Sequence, residues 1–501
     1  GRTVSEKSIK LNRDLDRMLN QAIERDLLVR IGWGREGDEK PKNGEIGGLS
    51  MLPDKSRSLL LGDLGEGAGM MNRGGTATIQ GSVSSLAGAW MSSGRLVIEK
   101  DAGSRTGHHM SGGFIIVHGS VGSYAGSNMT GGTLLIRGDA GPHVGSGMSG
   151  GTIIVMGTVG ESPGKRMSGG KIVICGGFPE SENITTQLEP PNISEESLEF
   201  VTSLGIDLPD HASVFTASAD LREDMPPVLN RDVKFTGIGV LGSGGGKVES
   251  AVGIETSVEL GGRGEQNSNL VLQLPWISIA NKGTEGGSSI VTSIPSQDDL
   301  LMVDSECLST LDRGLLSCRG FIVDIEDVCG LNDAELESVV VAIRSRMGYD
   351  ALIMLCDRVD RVDELSRRCS ELDLDGIMVD VRSLDSAGAT VALPRIGMAN
   401  KKYRLSTENR SIILRLDGET DPETLIIARS AGISAVASPG LSESRGIIKS
   451  KLEGLLREMG LDSIRHADRG NIRALNHDTA IQTGLRLVGL DRPLSAWTRR
   501  D

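Results

Sequence analysis

Short bursts in which apolar and polar residues alternate run through residues 62–176 and return every 19 residues. Each follows a glycine pair or its equivalent, and each predicts a strand: 76–80, 95–99, 114–118, 133–137, 152–156 and 171–175. Side chains alternate across a strand. One face therefore carries Ala77 and Ile79, Leu96 and Ile98, Ile115 and Val117, Leu134 and Ile136, Ile153 and Val155, and Ile172 and Ile174. This is the interior face. Met91, Met110, Met129, Met148 and Met167 keep the same spacing, and Gly126, Gly145 and Gly164 recur in register where corners call for positive φ. Self-similarity at about 20 residues predicts a solenoid whose repeats bury their apolar face by stacking. A β-helix is the economical form.

The middle outward position of each strand reads Thr78, Val97, Ile116, Leu135, Ile154, Val173. A solvated face would be polar there. A contiguous apolar stripe marks a docking surface, so the second half of the chain, another subunit or a second copy is expected to cover it.

The rest of the chain divides around this stretch. Residues 1–60 hold a helix over 5–27, with Leu11, Leu15, Met18, Leu19, Ala22 and Ile23 at helical spacing. It is placed to cap the open first coil, and a charged loop over 34–48 follows it. The β-helix spans 61–177. Residues 178–230 are rich in proline and acid and read as a linker, with a short capped helix from Ser194 and an extended segment after Gly205.

Over 231–501, strand and helix signals alternate as in parallel α/β folds. Strands are predicted at 270–280, 321–325, 351–356, 376–381, 411–416 and 434–437. Helices are predicted at 333–347, 362–372, 422–431, 445–459 and 477–488. The strand spacing shows no reversal, which favours a degenerate (β/α) barrel over a doubly wound sheet. The fold class is multidomain: a β-helix, then an α/β barrel.

Charge narrows the partners. With 53 basic against 67 acidic residues the net charge is −14, and aromatics make up 3%, which argues against a nucleic-acid backbone or a base-stacking surface. No apolar run reaches the roughly 20 residues of a membrane span, and no signal peptide is recognised, so a cytoplasmic location is expected. Six cysteines, Cys175, Cys307, Cys318, Cys329, Cys356 and Cys369, include no Cys-x-x-Cys pair. Reduced, buried thiols are the expectation, and no metal site.

Candidate chemistry lies in loops that follow strands. Asn281-Lys-Gly-Thr-Glu-Gly-Gly287 follows the first barrel strand, where Gly286 and Gly287 would let a cofactor approach the backbone; a plain surface turn is the competing reading. Asp417-Gly418 and Ala437-Ser-Pro-Gly440 follow the last two strands, a usual phosphate position. Against this, Gly418 and Gly440 serve equally well in tight turns. Gly242-Ser-Gly-Gly-Gly-Lys247 fails the phosphate-loop spacing, because Leu241 and Val248 stand where Gly and Ser or Thr belong. The seven histidines are scattered, and no nucleophile, base and orienter assemble from the sequence.

The repeat Gly-x-x-Gly-x-x-x-Gly-x-x-Met-Ser/Thr-Gly-Gly, clearest over Gly119–Gly132 and Gly138–Gly151, resembles the right-handed β-helix shared by the glutamate synthase large chain and one of the subunits of formylmethanofuran dehydrogenase. With Asn12 to Leu19, similar to the helix leading into that domain, the resemblance covers about 10–177. The second half resembles a diverged glutamate synthase flavin domain through Leu274-Pro-Trp-Ile-Ser-Ile, Thr284-Glu-Gly-Gly287, Asp385-Ser-Ala-Gly-Ala389, Leu416-Asp-Gly418 and Asn471-Ile-Arg-Ala-Leu-Asn476, with the two domains in reversed order.

The resemblance implies an FMN-binding barrel, with Gly286, Gly287, Asp417, Gly418 and Gly440 as the cofactor-binding residues. It also marks departures. No cysteine lies beyond Cys369, so no iron-sulfur cluster is expected. The family's lysine- and glycine-rich segment has no counterpart between Ile290 and Gly320, Asp385-Ser-Ala and Asp417-Gly-Glu replace Asp-Gly-Gly, and a glutaminase domain is expected to be absent. Two functions follow as expectations. One is a glutamate-synthase-related oxidoreductase subunit acting in a multi-subunit complex; the other is a non-catalytic scaffold that organises a larger complex, as in formylmethanofuran dehydrogenase.

Overall fold

The computed structural model describes residues 2–32, 45–179, 184–187, 193–217, 235–240, 253–261, 269–283, 287–310, 318–326, 328, 331–347 and 351–487. The Gly242–Lys247 loop, Gly286, Cys329, most of the loop at 34–48 and the extended segment beyond residue 217 lie outside them. The chain forms two compact units: Gly1–Met225 with Ser305–Asp312 and Leu331–Gly348, and Pro226–Asp304 with Arg313–Gly330 and Tyr349–Asp501.

The first unit opens with α1 (Arg2–Glu24) and a large, mostly parallel sheet. Its strands are β1 (Val29–Ile31), β2 (Arg57–Leu60), β3 (Arg73–Ile79), β4 (Ser93–Ile98), β5 (Phe114–Val117), β6 (Thr130–Ile136), β7 (Ser149–Val155), β8 (Gly169–Ile174), β9 (Ile184–Gln187) and β10 (Ser213–Thr216). β1 to β8 pair in chain order, all parallel, so that Ile115, Leu134, Ile153 and Ile172 stand side by side. β10 pairs antiparallel with β8, and β9 with β10. Two further backbone ladders share the repeat. Parallel bridges join Leu64, Val83, Ala102, Val121, Ala140 and Val159 in series, and the amides of Gly88, Gly107, Gly126, Gly145 and Gly164 donate to Ala68, Ala87, Thr106, Ala125 and Val144.

The sheet's two faces bury different things. Ala77, Ile79, Leu96, Ile98, Ile115, Val117, Leu134, Ile136, Ile153, Val155, Ile172 and Ile174 form one continuous core with the five periodic methionines. Leu15, Leu19 and Ala22 of α1 close this core against Leu49, Leu52 and Leu60. The opposite face carries the stripe, and among the described residues what packs on it is the segment that its composition marks as a linker. Ile116, Leu135, Ile154 and Val173 pack with Ile193, Phe200, Val201, Ile206 and Val214 around α2 (Glu195–Ser203). The Phe200 ring stacks on Phe114 at 4.2 Å, and Ser197 of α2 meets the Thr133 hydroxyl at 3.0 Å. Phe200→Ala is therefore expected to cost about 3 kcal/mol and to loosen α2, read as a lower unfolding midpoint with new binding of a hydrophobic dye.

Two short pieces from later in the chain, α3 (Ser305–Thr310) and α4 (Asp333–Met347), group with this unit. The alternation of strand and helix signals assigns 333–347 to the barrel half instead. Within the unit α4 lies against α1, and its Glu335 holds Arg105 at 3.6 Å.

The second unit is built on a closed barrel of eight parallel strands. β11 (Ile238–Val240), β12 (Val258–Leu260) and β13 (Leu270–Leu272) precede it. The barrel strands are β14 (Trp276–Lys282), β15 (Ser289–Ile294), β16 (Leu300–Val303), β17 (Gly320–Asp324), β18 (Leu352–Arg358), β19 (Gly376–Asp380), β20 (Ser411–Arg415) and, beyond the two-residue β21 (Glu419–Thr420), β22 (Ala435–Ser438). Pairing of β14 with β22 closes the ring. α5 (Val362–Glu371), α6 (Ser386–Tyr403) and α7 (Pro422–Ser430) alternate with the later strands. β23 (Gly440–Leu441), α8 (Arg445–Glu458), β24 (Ile472–Ala474) and α9 (His477–Thr483) complete the chain, with β24 pairing β11.

Several predicted elements change. The 270–280 strand splits at Pro275, where β13 turns back on β12 and β14 begins the barrel. β15 and β16 stand where the sequence pattern predicts no strand, and α6 where it predicts no helix. α9 stops at Thr483 because Gly484 takes a left-handed φ of 68°, the usual helix stop.

Candidate active site

Charged residues close apolar strands at one end of the barrel: Phe-Ile-Val-Asp324, Met-Val-Asp380 and Ile-Leu-Arg415. In a (β/α) barrel the C-terminal strand ends carry the chemistry. Arg415 Nη1 lies 3.5 Å from Asp324 Oδ2 and 3.5 Å from Asp380 Oδ2. β18 and β19 stand between β17 and β20, so the Asp324–Arg415 pair must cross the inside of the barrel. Arg382 grips Asp380 from the rim, with Nε at 3.1 and 3.0 Å from the two carboxylate oxygens and Nη2 at 2.7 Å. Burial works against the Arg382 charge, but the hydrogen bonds and charge of Asp380 outweigh it and raise its pKa.

Cys356, on β18 opposite Asp324, is buried and its thiol is pushed well above its ordinary pKa. Burial is the main cause and the Asp324 carboxylate adds to it, while Arg415 acts the other way. A thiol so held is a poor nucleophile at neutral pH. Both carboxylates are spent on guanidinium groups, and Ser438 is saturated too: its hydroxyl receives Trp276 Nε1 at 2.8 Å and meets Thr420 Oγ1 at 2.7 Å, while donating to the Gly440 carbonyl at 2.9 Å. The rim is an ionic lattice in which the buried Arg415 Nε is left without a hydrogen-bond partner, and on β18 burial raises the carboxyl pKa of Asp357.

The residues singled out in sequence are only partly gathered. β21 and β23 form a two-residue parallel pair, Glu419 with Gly440 and Thr420 with Leu441, which brings the loops of Gly418 and Gly440 together. Gly418 takes φ 79°, and its amide donates to Asp417 Oδ1 at 3.1 Å. Gly287 lies beside the Arg445 guanidinium, which covers the Trp276 ring at 5.4 Å. The tight glycine of that loop is Gly283, where a Cβ would stand 2.1 Å from Asp299 Oδ2. Among the described residues no group of three or more His, Cys, Asp or Glu is arranged to hold a metal ion, and no helix is long and apolar enough to cross a membrane.

Comparison with known proteins gives one family-model match, over part of the first unit. A family model described as the GXGXG motif matches residues 74–163. No curated protein matches the chain. Among solved structures, a soluble mutant of the membrane-associated (S)-mandelate dehydrogenase from Pseudomonas putida is similar at 10% identity, over 48% of this chain and 88% of that one, with a TM-score of 0.29. That likeness is too slight to carry an argument.

Proposed function

We propose that this chain is a glutamate-synthase-related subunit that organises a larger assembly and whose barrel does not run flavin chemistry. The GXGXG match supports the relationship. The three backbone ladders repeating every 19 or 20 residues support a right-handed β-helix as the form of the first unit. The observation that carries the functional reading is the ionic lattice of Asp324, Arg415, Asp380 and Arg382 across the barrel's C-terminal end.

In the related enzymes FMN would be expected at those strand ends, and the residues here do not fit it. A flavin phosphate needs free amides and positive charge at the last two loops. Here the Gly418 amide serves Asp417, Asp421 caps α7 through Thr424 N at 2.8 Å, and Glu419 and Glu423 add two more carboxylates. An anion placed there would meet like charge.

The second reading, an enzyme component that holds FMN near Gly287, Asp417, Gly418 and Gly440, draws on the β21–β23 pair that gathers Gly418 and Gly440. The two part in one experiment. Protein isolated from its source is expected to be colourless, to keep its unfolding midpoint when FMN is added, and to co-purify with other chains in fixed ratio. Visible flavin absorption, or a midpoint that rises with FMN, overturns the first reading in favour of the second; a monodisperse monomer with no companion chains overturns the organising role.

A further inference from the structure

The opposite end of the barrel holds a cation that, among the described residues, lacks a counter-ion. A cavity of about 780 Å³ opens at the N-terminal ends of β20 and β22, lined among others by Ser411, Arg429, Ser430, Ser434 and Arg469. Arg429 donates Nη1 to the Ile433 carbonyl at 2.8 Å, while its Nε is enclosed without a hydrogen-bond partner and no carboxylate of the described residues lies within ion-pair distance. Ser430, beside it, is buried and its hydroxyl is likewise unpartnered. Arg469 reaches the Thr483 and Gly484 carbonyls, at 3.2 and 3.3 Å, and no described carboxylate.

Two acids also line this cavity: Glu259, which serves Arg465 at 3.3 Å and Asn269, and Asp468, whose carboxylate accepts the Gly470 amide at 2.7 Å. Arg410 is spent on Asp373 and Glu408 and on backbone carbonyls. Burial, and then the charge of Arg465, pull the Arg429 pKa below its ordinary value. A desolvated guanidinium with no counter-ion costs free energy that an anion would recover.

A second cavity of about 600 Å³ shares Asn400, Ser430, Gly432 and Arg469 with the first. Its wall is mostly apolar, with Leu393, Pro394, Met398, Ile472 and Leu485, and one further cation, Lys401. A polar cavity with arginines free of carboxylates adjoining an apolar one suits a molecule with one charged end.

We propose that these adjoining cavities bind a small organic anion, its phosphate or carboxylate head against Arg429 and Arg469 and its apolar body along Leu393, Met398 and Leu485. The site lies at the N-terminal strand ends, away from the rim lattice, and stands independently of whether the barrel holds FMN. Calorimetric titration of the full chain with phenyl phosphate, benzoate, inorganic phosphate and phenol tests it. Phenyl phosphate or benzoate is expected to bind saturably, inorganic phosphate and phenol about tenfold or more weakly, and the tighter of the two heads identifies the anion class. Arg429→Met is expected to weaken that binding about tenfold; Arg469→Met, at an exposed position, gives the same direction should the first variant fail to fold. No binding by either aromatic anion, inorganic phosphate binding as tightly as phenyl phosphate, or affinity unchanged in both variants overturns the proposal.

Discussion

Gly150→Val is expected to unfold the first unit outright or to cost about 4 kcal/mol or more, an effect reserved for sites where nothing can give way. A Cβ at Gly150 would stand 2.2 Å from the Thr130 carbonyl oxygen and 3.0 Å from its carbon, backbone atoms of the preceding repeat. Gly131 and Gly169 meet Ser111 and Ser149 the same way, at 2.3 and 2.2 Å. Stacked strands cannot part at one rung without breaking their ladders, so the clash is not relieved by a rotamer change. Gly177→Ala is the control: its nearest neighbour is the Thr158 methyl at 3.8 Å, and its midpoint is expected to move little. A denaturation series in which the two variants behave alike would remove close backbone approach as the reason for the glycine pairs.

Conformation alone does not explain those glycines. Leu86, Arg105, Tyr124, His143 and Ser162 hold φ between 53° and 62° at one recurring position, and Trp90, His109 and Asn128 do so at another, near 52°. Corners in this sheet accept ordinary side chains when there is room beside them. The strain of a left-handed residue is about 1 kcal/mol; the steric cost at Gly150 is larger, and it is what keeps the position empty.

The second large effect is expected at the barrel rim. Arg415→Met leaves Asp324 and Asp380 facing the same low-dielectric space with their shared cation gone, a loss of about 3–5 kcal/mol. Arg382 still holds Asp380, so most of the penalty falls on crowding two carboxylates that Arg415 had bridged. Adding Asp324→Asn to Arg415→Met is expected to restore much of the lost midpoint, because Asp380 keeps its pairing with Arg382 and no second carboxylate faces it. Failure of the double variant to recover would mean that Arg415 acts through packing, not charge.

How far the sequence discloses all this differs between the two units. The stacked sheet is legible because one physical constraint, side chains filling a common interior, is imposed again every 19 residues. The helix after Ser194 is visible in the sequence too, although what it covers is not. A helix with Phe200 and Val201 on one face, close in sequence to a bare apolar stripe, is a natural cover for that stripe. In the barrel the regular expectation of strand, helix, strand hides two strands. Only six residues separate β14 from β15 and five separate β15 from β16, well short of the usual parallel crossover, so no spacing argument places them. α6 is masked by Gly388, Pro394 and Gly397, which read as breakers. Its start is nevertheless signed by Asp385, which accepts the Gly388 amide at 2.8 Å.

The charged groups of the rim escape the sequence reading for a related reason. Glycine-rich loops draw attention to Gly286, Gly287, Gly418 and Gly440, whereas the charged groups of the rim are the last residues of otherwise apolar strands. Asp324, Asp380 and Arg415 each end a buried run in a single polar residue. That signal is available from sequence alone once the strands are taken as parallel and the C-terminal ends are compared with one another.

One turn of the first unit has a consequence for how the repeat can grow. At this turn Asp63 accepts the Ser82 amide at 2.7 Å, Asp101 the Ser120 amide at 2.8 Å and Asp139 the Thr158 amide at 2.7 Å, each one repeat ahead. Reading down the column gives Asp63, Ser82, Asp101, Ser120, Asp139, Thr158, so no two carboxylates are neighbours at the roughly 4.8 Å separation of adjacent strands. The charge pattern has twice the period of the backbone. Duplicating a single repeat would set two like members of the column side by side, either a repelling pair of acids or two hydroxyls with no carboxylate between them. Duplicating two would preserve the order, and lengthening of this sheet is therefore favoured in even steps.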